Sequence, residues 1–298
     1  MLKEHTYPTE VGSHAAERSL GRGGTLGVLF GIVIGAAAGL IGVGGGEFRI
    51  PVLLLILRLP VKEAAGANTV IGLIVVVLSV IRRWGHQRLT PDDLTLGAVM
   101  AVASIFGATI GARKAHKLPT PLLKKVVCLY LLVVGAWMVV EGLAESEHSL
   151  IEPSGWIRWT LAALVGFFIA AASGALGVAG GEMRIPALMH LFAVPVKAAG
   201  TISLIASIPT VAAGAFTYRR LGHIPSRVMV LSLLMGGGSI LGVFVGASFL
   251  PLVDKHTLKT LLGLVLLVAA VCMLPGRFNR RNQVEPPPVK YTHPGNRE

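Results

Sequence analysis

The chain has 298 residues, 53% of them hydrophobic and only 14% charged, with a mean hydropathy of +0.71. That leaves too little polar surface to clothe a soluble globule, which excludes a soluble protein and makes this a membrane protein. The formal net charge of +12 sits mostly at the ends of apolar segments, where anionic lipid headgroups account for it, so no nucleic acid partner is expected.

In chain order, residues 1–24 are polar and are expected to form a disordered tail. The first apolar segment starts too far in and runs too long for an ordinary cleaved signal peptide, and it reads as a retained span. Eight windows approach or exceed the ~20 apolar residues that cross a bilayer: Leu26–Val43, Ala64–Ile81, Leu94–Gly111, Leu122–Val140, Ile157–Val178, Ala198–Tyr218, Val228–Leu250 and Leu258–Leu274. Residues 143–156 form an acidic linker, and residues 276–298, with a proline triplet and no helical period, read as a second disordered tail. Cys128 and Cys272 lie inside apolar windows without CxxC spacing and read as small buried hydrophobes. The histidines show no metal-ligand spacing inside the spans. No metal and no cofactor is expected.

The linker separates two copies of one unit, 25–142 and 157–275. A shift of about 135 residues brings Gly39 onto Gly174, Gly42 onto Gly177, Glu47 onto Glu182, Arg49 onto Arg184 and Pro51 onto Pro186. After one dropped residue the match continues, with Thr69 on Ser203, and Gly107 and Gly111 on Gly242 and Gly246. Four plain crossings per copy would make the repeats parallel and leave the basic loops divided between both sides. The short segments Ile50–Leu59 and Ile185–Val194 reach only ~15 Å as helix, half a hydrocarbon core. Read as broken, re-entrant half-helices, they invert the second copy. The fold expected is therefore an all-α polytopic membrane protein of two tandem, inverted repeats, each with about four transmembrane helices plus one half-helix. The loops around Arg113–Lys125 and Arg219–Arg227 then share the cytoplasmic side with both tails, while Arg82, Arg83 and Arg88 fall on the wrong side.

The break itself is written GVGGGEFRIP and again GVAGGEMRIP. Glycine supplies the backbone conformations that a sharp reversal needs, non-helical backbone at membrane depth survives only inside protein or beside a polar cavity, and proline favours a helix's first turn. A break at Gly44, Gly45 and Gly46, and at Gly180 and Gly181, with a restart near Pro51 and Pro186, exposes backbone N–H groups suited to an anion. Paired half-helix ends of this kind mark substrate sites in duplicated transporters. Glu47, Arg49, Glu182 and Arg184 are costly in a membrane unless paired or wetted. Either the arginines hold an anionic substrate that the glutamates balance when it is absent, or Glu47–Arg184 and Glu182–Arg49 tie the repeats together. Asn68, Thr69 and Ser203, early in the next spans, are candidate ligands, with Lys62 and Lys197 in the matched PVK turns as secondary ones that snorkelling also explains.

At these residues the chain resembles the sulfite exporter TauE/SafE family: the glycine series Gly35, Gly39, Gly42, Gly44, Gly45 and Gly46, then Pro51, the AAGAN segment Ala64–Asn68, and the second copy of all of these. The resemblance implies a secondary transporter of the bacterial inner membrane that exports small sulfur-containing anions, sulfite or organosulfonates. Members of that family commonly carry apolar residues where both copies here read Glu-x-Arg. A passive anion channel is the alternative, and an intramembrane hydrolase on Ser173 with His190 or His223 a more distant one, since AASGALG is not a serine-protease turn. Proton coupling and a homo-oligomer fit the pattern and stay open at this point.

Overall fold

The computed structural model describes residues 11–84, 89–114, 120–144 and 153–273. Among these all the regular structure is helical, in the order α1 (Val11–Ile41), α2 (Gly46–Pro51, continued by a π-helical turn, Val52–Ile56), α3 (Val61–Trp84), α4 (Pro91–Lys114), α5 (Thr120–Leu143), α6 (Gly155–Leu176), α7 (Gly181–Phe192), α8 (Val196–Arg220), α9 (Ser226–Phe249) and α10 (Lys255–Met273). Helix α1 begins inside the stretch read as a tail. Residues 1–10, most of the acidic linker and the C-terminal tail lie outside the described residues, as do Arg88 and Lys117. Among the described residues, six helices are long and apolar enough to cross a membrane: α1 from Gly24, α3, α4, α6, α8 and α9. Their outer faces expose Leu29, Val33, Phe106, Phe168 and Leu241, side chains suited to lipid.

With lipid as apolar as leucine, helices associate through close backbone approach, and glycine decides where. Helix α1 packs on α9, and α4 packs on α6. Gly31, Gly35 and Gly39 face Met235, Ser239 and Val243, and in return Gly238, Gly242 and Gly246 face Val28, Ile32 and Ala36. Gly107 and Gly111 meet Phe167 and Ala171 in the same way, and Gly166 and Gly174 meet Met100 and Ala108. Contacts advance together along both pairs, so each pair runs in one direction. In α3 and α8 they run oppositely: Thr69 lies beside Gly214, and Arg83 beside Thr201. The same holds for α5 and α10, where Cys128 Sγ donates to the Ala270 carbonyl at 3.3 Å and Gly142 meets Thr260. The extensive helix contacts all join one half of the chain to the other.

The two broken arms start earlier than the prolines suggest. Gly45 (φ 69°) and Gly180 (φ 78°) are left-handed and precede the first helical residue, with Arg49 N–H donating to Gly45 O at 3.3 Å and Arg184 N–H to Gly180 O at 3.0 Å. The helix therefore restarts at Gly46 and Gly181 and not at Pro51 and Pro186, because a left-handed glycine can turn the chain at once, whereas proline only tolerates a first turn already made. As the sixth residue of each arm, the proline instead removes the N–H that would bond the carbonyl of Glu47 or Glu182. In the first arm a π-helical turn follows. The second stays α-helical to Phe192.

Candidate functional site

The two breaks meet. A Cβ on Gly44 would lie 3.0 Å from that of Ala179, one on Gly46 would lie 3.2 Å from that of Val178, and one on Gly181 would strike the carbonyl of Val43. This contact carries Glu47, Arg49, Glu182 and Arg184 into the interior, with exposures of 5%, 0%, 2% and 0%. Side chains two apart on a helical arm point in different directions. The glutamates turn toward each other and the arginines turn away.

The cross-repeat ties considered from the sequence do not form. The carboxyl groups of Glu47 and Glu182 lie within hydrogen-bonding reach of each other, and each also accepts from its own backbone N–H. The helix N-termini that looked ready for a substrate are thus partly filled by the chain's own acids, since a carboxylate in the first turn meets the same dipole. Arg49 Nε donates to Asn68 Oδ1 at 2.8 Å, and Asn68 Nδ2 donates to the carbonyl of Gly177 at 2.7 Å, so the first arginine is braced against the second break. Arg184 sends Nη1 to Ser207 Oγ (2.7 Å) and the Ser203 carbonyl (3.2 Å), and Nη2 to Thr210 Oγ1 (3.3 Å). Both Nη atoms of Arg49, Nε of Arg184, Ser203 Oγ, Glu47 Oε1 and Glu182 Oε2 are buried without a protein partner. Buried guanidinium donors and a hydroxyl left over in this way are what an oxyanion accepts from.

Of the other sequence candidates, Gly44, Gly45, Gly46, Gly180 and Gly181 form the breaks, and Asn68 and Ser203 touch the arginines. Thr69 bonds the Gly66 carbonyl of its own helix (2.7 Å) and packs on Gly214. Lys62 is exposed at the start of α3. Lys197 enters through its carbonyl, which accepts from Arg83 Nη2 at 3.0 Å. Ser207 and Thr210 were not singled out, although Ser203, Ser207 and Thr210 follow a helical spacing on an otherwise apolar stretch.

Two further polar clusters went unread. Arg83 is fully buried: its Nη1 donates to the carbonyls of Gly39 (3.3 Å) and Leu40 (2.9 Å), Nη2 to Lys197 O, and Nε to Thr201 Oγ1 (3.2 Å). It satisfies the end of α1, where carbonyls lack helical donors. In the second half Tyr218 does this work, with its hydroxyl donating to Gly174 (3.2 Å) and Ala175 (3.4 Å), the matched carbonyls of α6. The second cluster joins α5, α7 and α10: Glu141 Oε2 accepts from Lys259 Nζ at 3.1 Å and lies 3.4 Å from His190 Nε2, while Trp137 Nε1 donates to Glu141 Oε1 at 2.8 Å. His190 is therefore engaged with Glu141 and with the Pro186 carbonyl, and Ser173 donates to the Ile169 carbonyl at 2.6 Å. No nucleophile–base pair joins them.

Apolar helices long enough to cross a membrane, interrupted by two broken arms that each carry a buried charged pair, are those of a multi-pass membrane protein. The model of the family "Sulfite exporter TauE/SafE" matches residues 10–138 and 161–295, and the chain belongs to that family. It is similar to two proteins of Bacillus subtilis (strain 168), each described as a probable membrane transporter protein. YdhB is 23% identical over 247 residues and YjnA 22% identical over 259, in both cases covering 83% of this chain and 98% of the relative. No solved structure matches the chain. Family and relatives are transporters and not enzymes, and the hydrolase reading falls with them.

Proposed function

We propose that the chain is a secondary transporter exporting small sulfur-containing anions, sulfite or organosulfonates, across the bacterial inner membrane, with Arg49 and Arg184 holding the anionic group between two inverted repeats. The observation that carries this reading is a wholly buried arginine on each of two arms whose breaks touch, both with guanidinium nitrogens left unpartnered. The pyramid of three oxygens on a sulfonate or sulfite matches such donors, and Ser203 Oγ adds another beside Arg184.

The inverted arrangement draws support from helix direction. Matched helices α3 and α8, and α5 and α10, run antiparallel, as a two-fold axis in the membrane plane requires. The end of α1 lies beside the end of α3, through Arg83, so the arm between them must return. With the site closed to both surfaces, rocking of one half on the other exposes it alternately.

Reconstitution into liposomes tests the reading, with labelled sulfite, sulfate, thiosulfate and ethanesulfonate compared side by side. Flux of a sulfur anion above protein-free vesicles, lost in the Arg49→Gln and Arg184→Gln proteins, is the expected result. No flux of any of the four, or flux that survives both substitutions, would overturn it.

A further inference from the structure

Resting on the anion-site reading above, we infer that Glu47 and Glu182 together form a proton-binding site that holds one proton when the anion is absent and two when it is bound. The transporter then moves a monoanion and a proton together, an electroneutral step that runs outward where the outward gradient of the anion exceeds the inward gradient of protons.

The inference starts from contact and charge. Arginine stays protonated, so Arg49 and Arg184 contribute two positive charges. Two ionised carboxylates offer only acceptors, so the pair in hydrogen-bonding reach shares one proton and carries a single negative charge. The closed, empty site is then positive by one charge. A bound monoanion would cancel that charge and stand close to the negative pair. A second proton from the water that brings the anion neutralises the carboxylate pair and removes its repulsion of the anion, since a nearby like charge favours the protonated carboxyl. The oxygens to receive it are already present, since Glu47 Oε1 and Glu182 Oε2 are buried without a protein partner.

The location fits coupling. The carboxyl contact is the point where the first-half arm touches the second-half arm, so a motion of one half against the other changes the pair and the arginine site together. Among the described residues, the charged and titratable groups acting on the pair are Arg49 on α2, Arg184 on α7 and, beside Glu182, Tyr130 on α5, whose hydroxyl donates to Met183 O at 3.0 Å. The described residues of α1, α3, α6, α8 and α10 bring none to it: Arg83 of α3 is held by carbonyls and Lys259 of α10 by Glu141.

Binding is reciprocal: if the anion favours proton uptake, acid must favour the anion by the same factor. Ethanesulfonate suits the test, because it stays ionised over the working pH range and any pH dependence belongs to the protein. For the purified full-length chain, its Kd should rise about tenfold per pH unit once the second proton is lost, the slope for one linked proton. Calorimetry in buffers of different ionisation enthalpy should show uptake of about one proton per anion. In the Glu47→Gln/Glu182→Gln protein, permanently neutral, binding should persist and lose its pH dependence. Tyr130→Phe and His190→Gln should leave the dependence intact. Binding without proton uptake in the unaltered chain, or pH dependence surviving in the double variant, would overturn the proton site alone. Absence of ethanesulfonate binding at every pH would overturn this proposal, and the anion site falls with it when none of the four labelled anions is carried.

Discussion

Arg83 and Tyr218 show how one structural task is solved by different residues in the two copies. Each closes the carbonyl end of a helix that stops inside the bundle, and the arginine does so with no carboxylate near it, held by carbonyl dipoles and one hydroxyl. Arg83→Leu should therefore cost more than Tyr218→Phe: about 3 kcal/mol or more against about 1 kcal/mol, since the first strands several buried acceptors and the second only one weakly shared bond. Thermal unfolding in detergent measures both, and equal losses would mean that the carbonyls find other donors. At the site the expectation is opposite in kind. Arg49 has one protein partner, so Arg49→Gln should leave the protein folded and inserted while transport is lost, and Arg49→Lys should restore only part, because an ammonium lacks the planar fork. Near-normal flux in Arg49→Gln would reduce this arginine to a structural role.

The two broken arms share their endings as well as their starts. Arg58 (φ 53°) and Ala193 (φ 56°) stand at matched positions in the left-handed region, and Leu59 N–H and Val194 N–H reach back six residues to Leu53 O and Leu188 O. This is the helix stop that normally uses glycine. Ala193→Gly should raise stability by about 1 kcal/mol, the cost of a left-handed Cβ, read as a higher unfolding temperature with transport unchanged. The helix pairs that carry the arms tolerate no such freedom. A Cβ on Gly111 would overlap the Ala171 carbonyl, and one on Gly246 the Ala36 carbonyl. Gly111→Val and Gly246→Val should each force a pair apart and yield protein that aggregates in detergent; monodisperse, active variants would show that these seams have slack.

For the whole molecule, the interlocked halves and the basic residues bear on one measurable quantity, the side on which each loop lies. Arg83, which looked like a violation of the positive-inside rule, is consumed inside the bundle and drops out of the loop count. Helices α6 and α8 each end at the point where Tyr218 meets Gly174, so Ser154 before α6 and Gly222 after α8 should face opposite sides of the membrane. In a background with Cys128 and Cys272 replaced by serine, a cysteine at position 154 should react with an impermeant thiol reagent in intact cells, and one at 222 only after permeabilisation. Equal labelling in intact cells would remove the inverted arrangement and, with it, alternating access.

The amino-acid sequence by itself determined the class of protein, the duplication and the place of each break. Those properties are written locally: apolar runs of bilayer length, glycine where a left-handed turn is needed, and the same spacing twice. It also singled out the four charged residues that the candidate site buries, because an ionisable group in an apolar run stands out whatever surrounds it. Only the tertiary structure decided their partners. That Glu47 faces Glu182, that Arg49 leans on Asn68, and that Arg184 draws on a Ser203, Ser207 and Thr210 face depends on how α3 and α8 cross the two arms. The Glu141–Lys259–His190 cluster likewise joins three helices far apart in the chain. The glycine pattern marked which helices could approach closely. The antiparallel crossing of the halves chose which polar groups that approach would bring together.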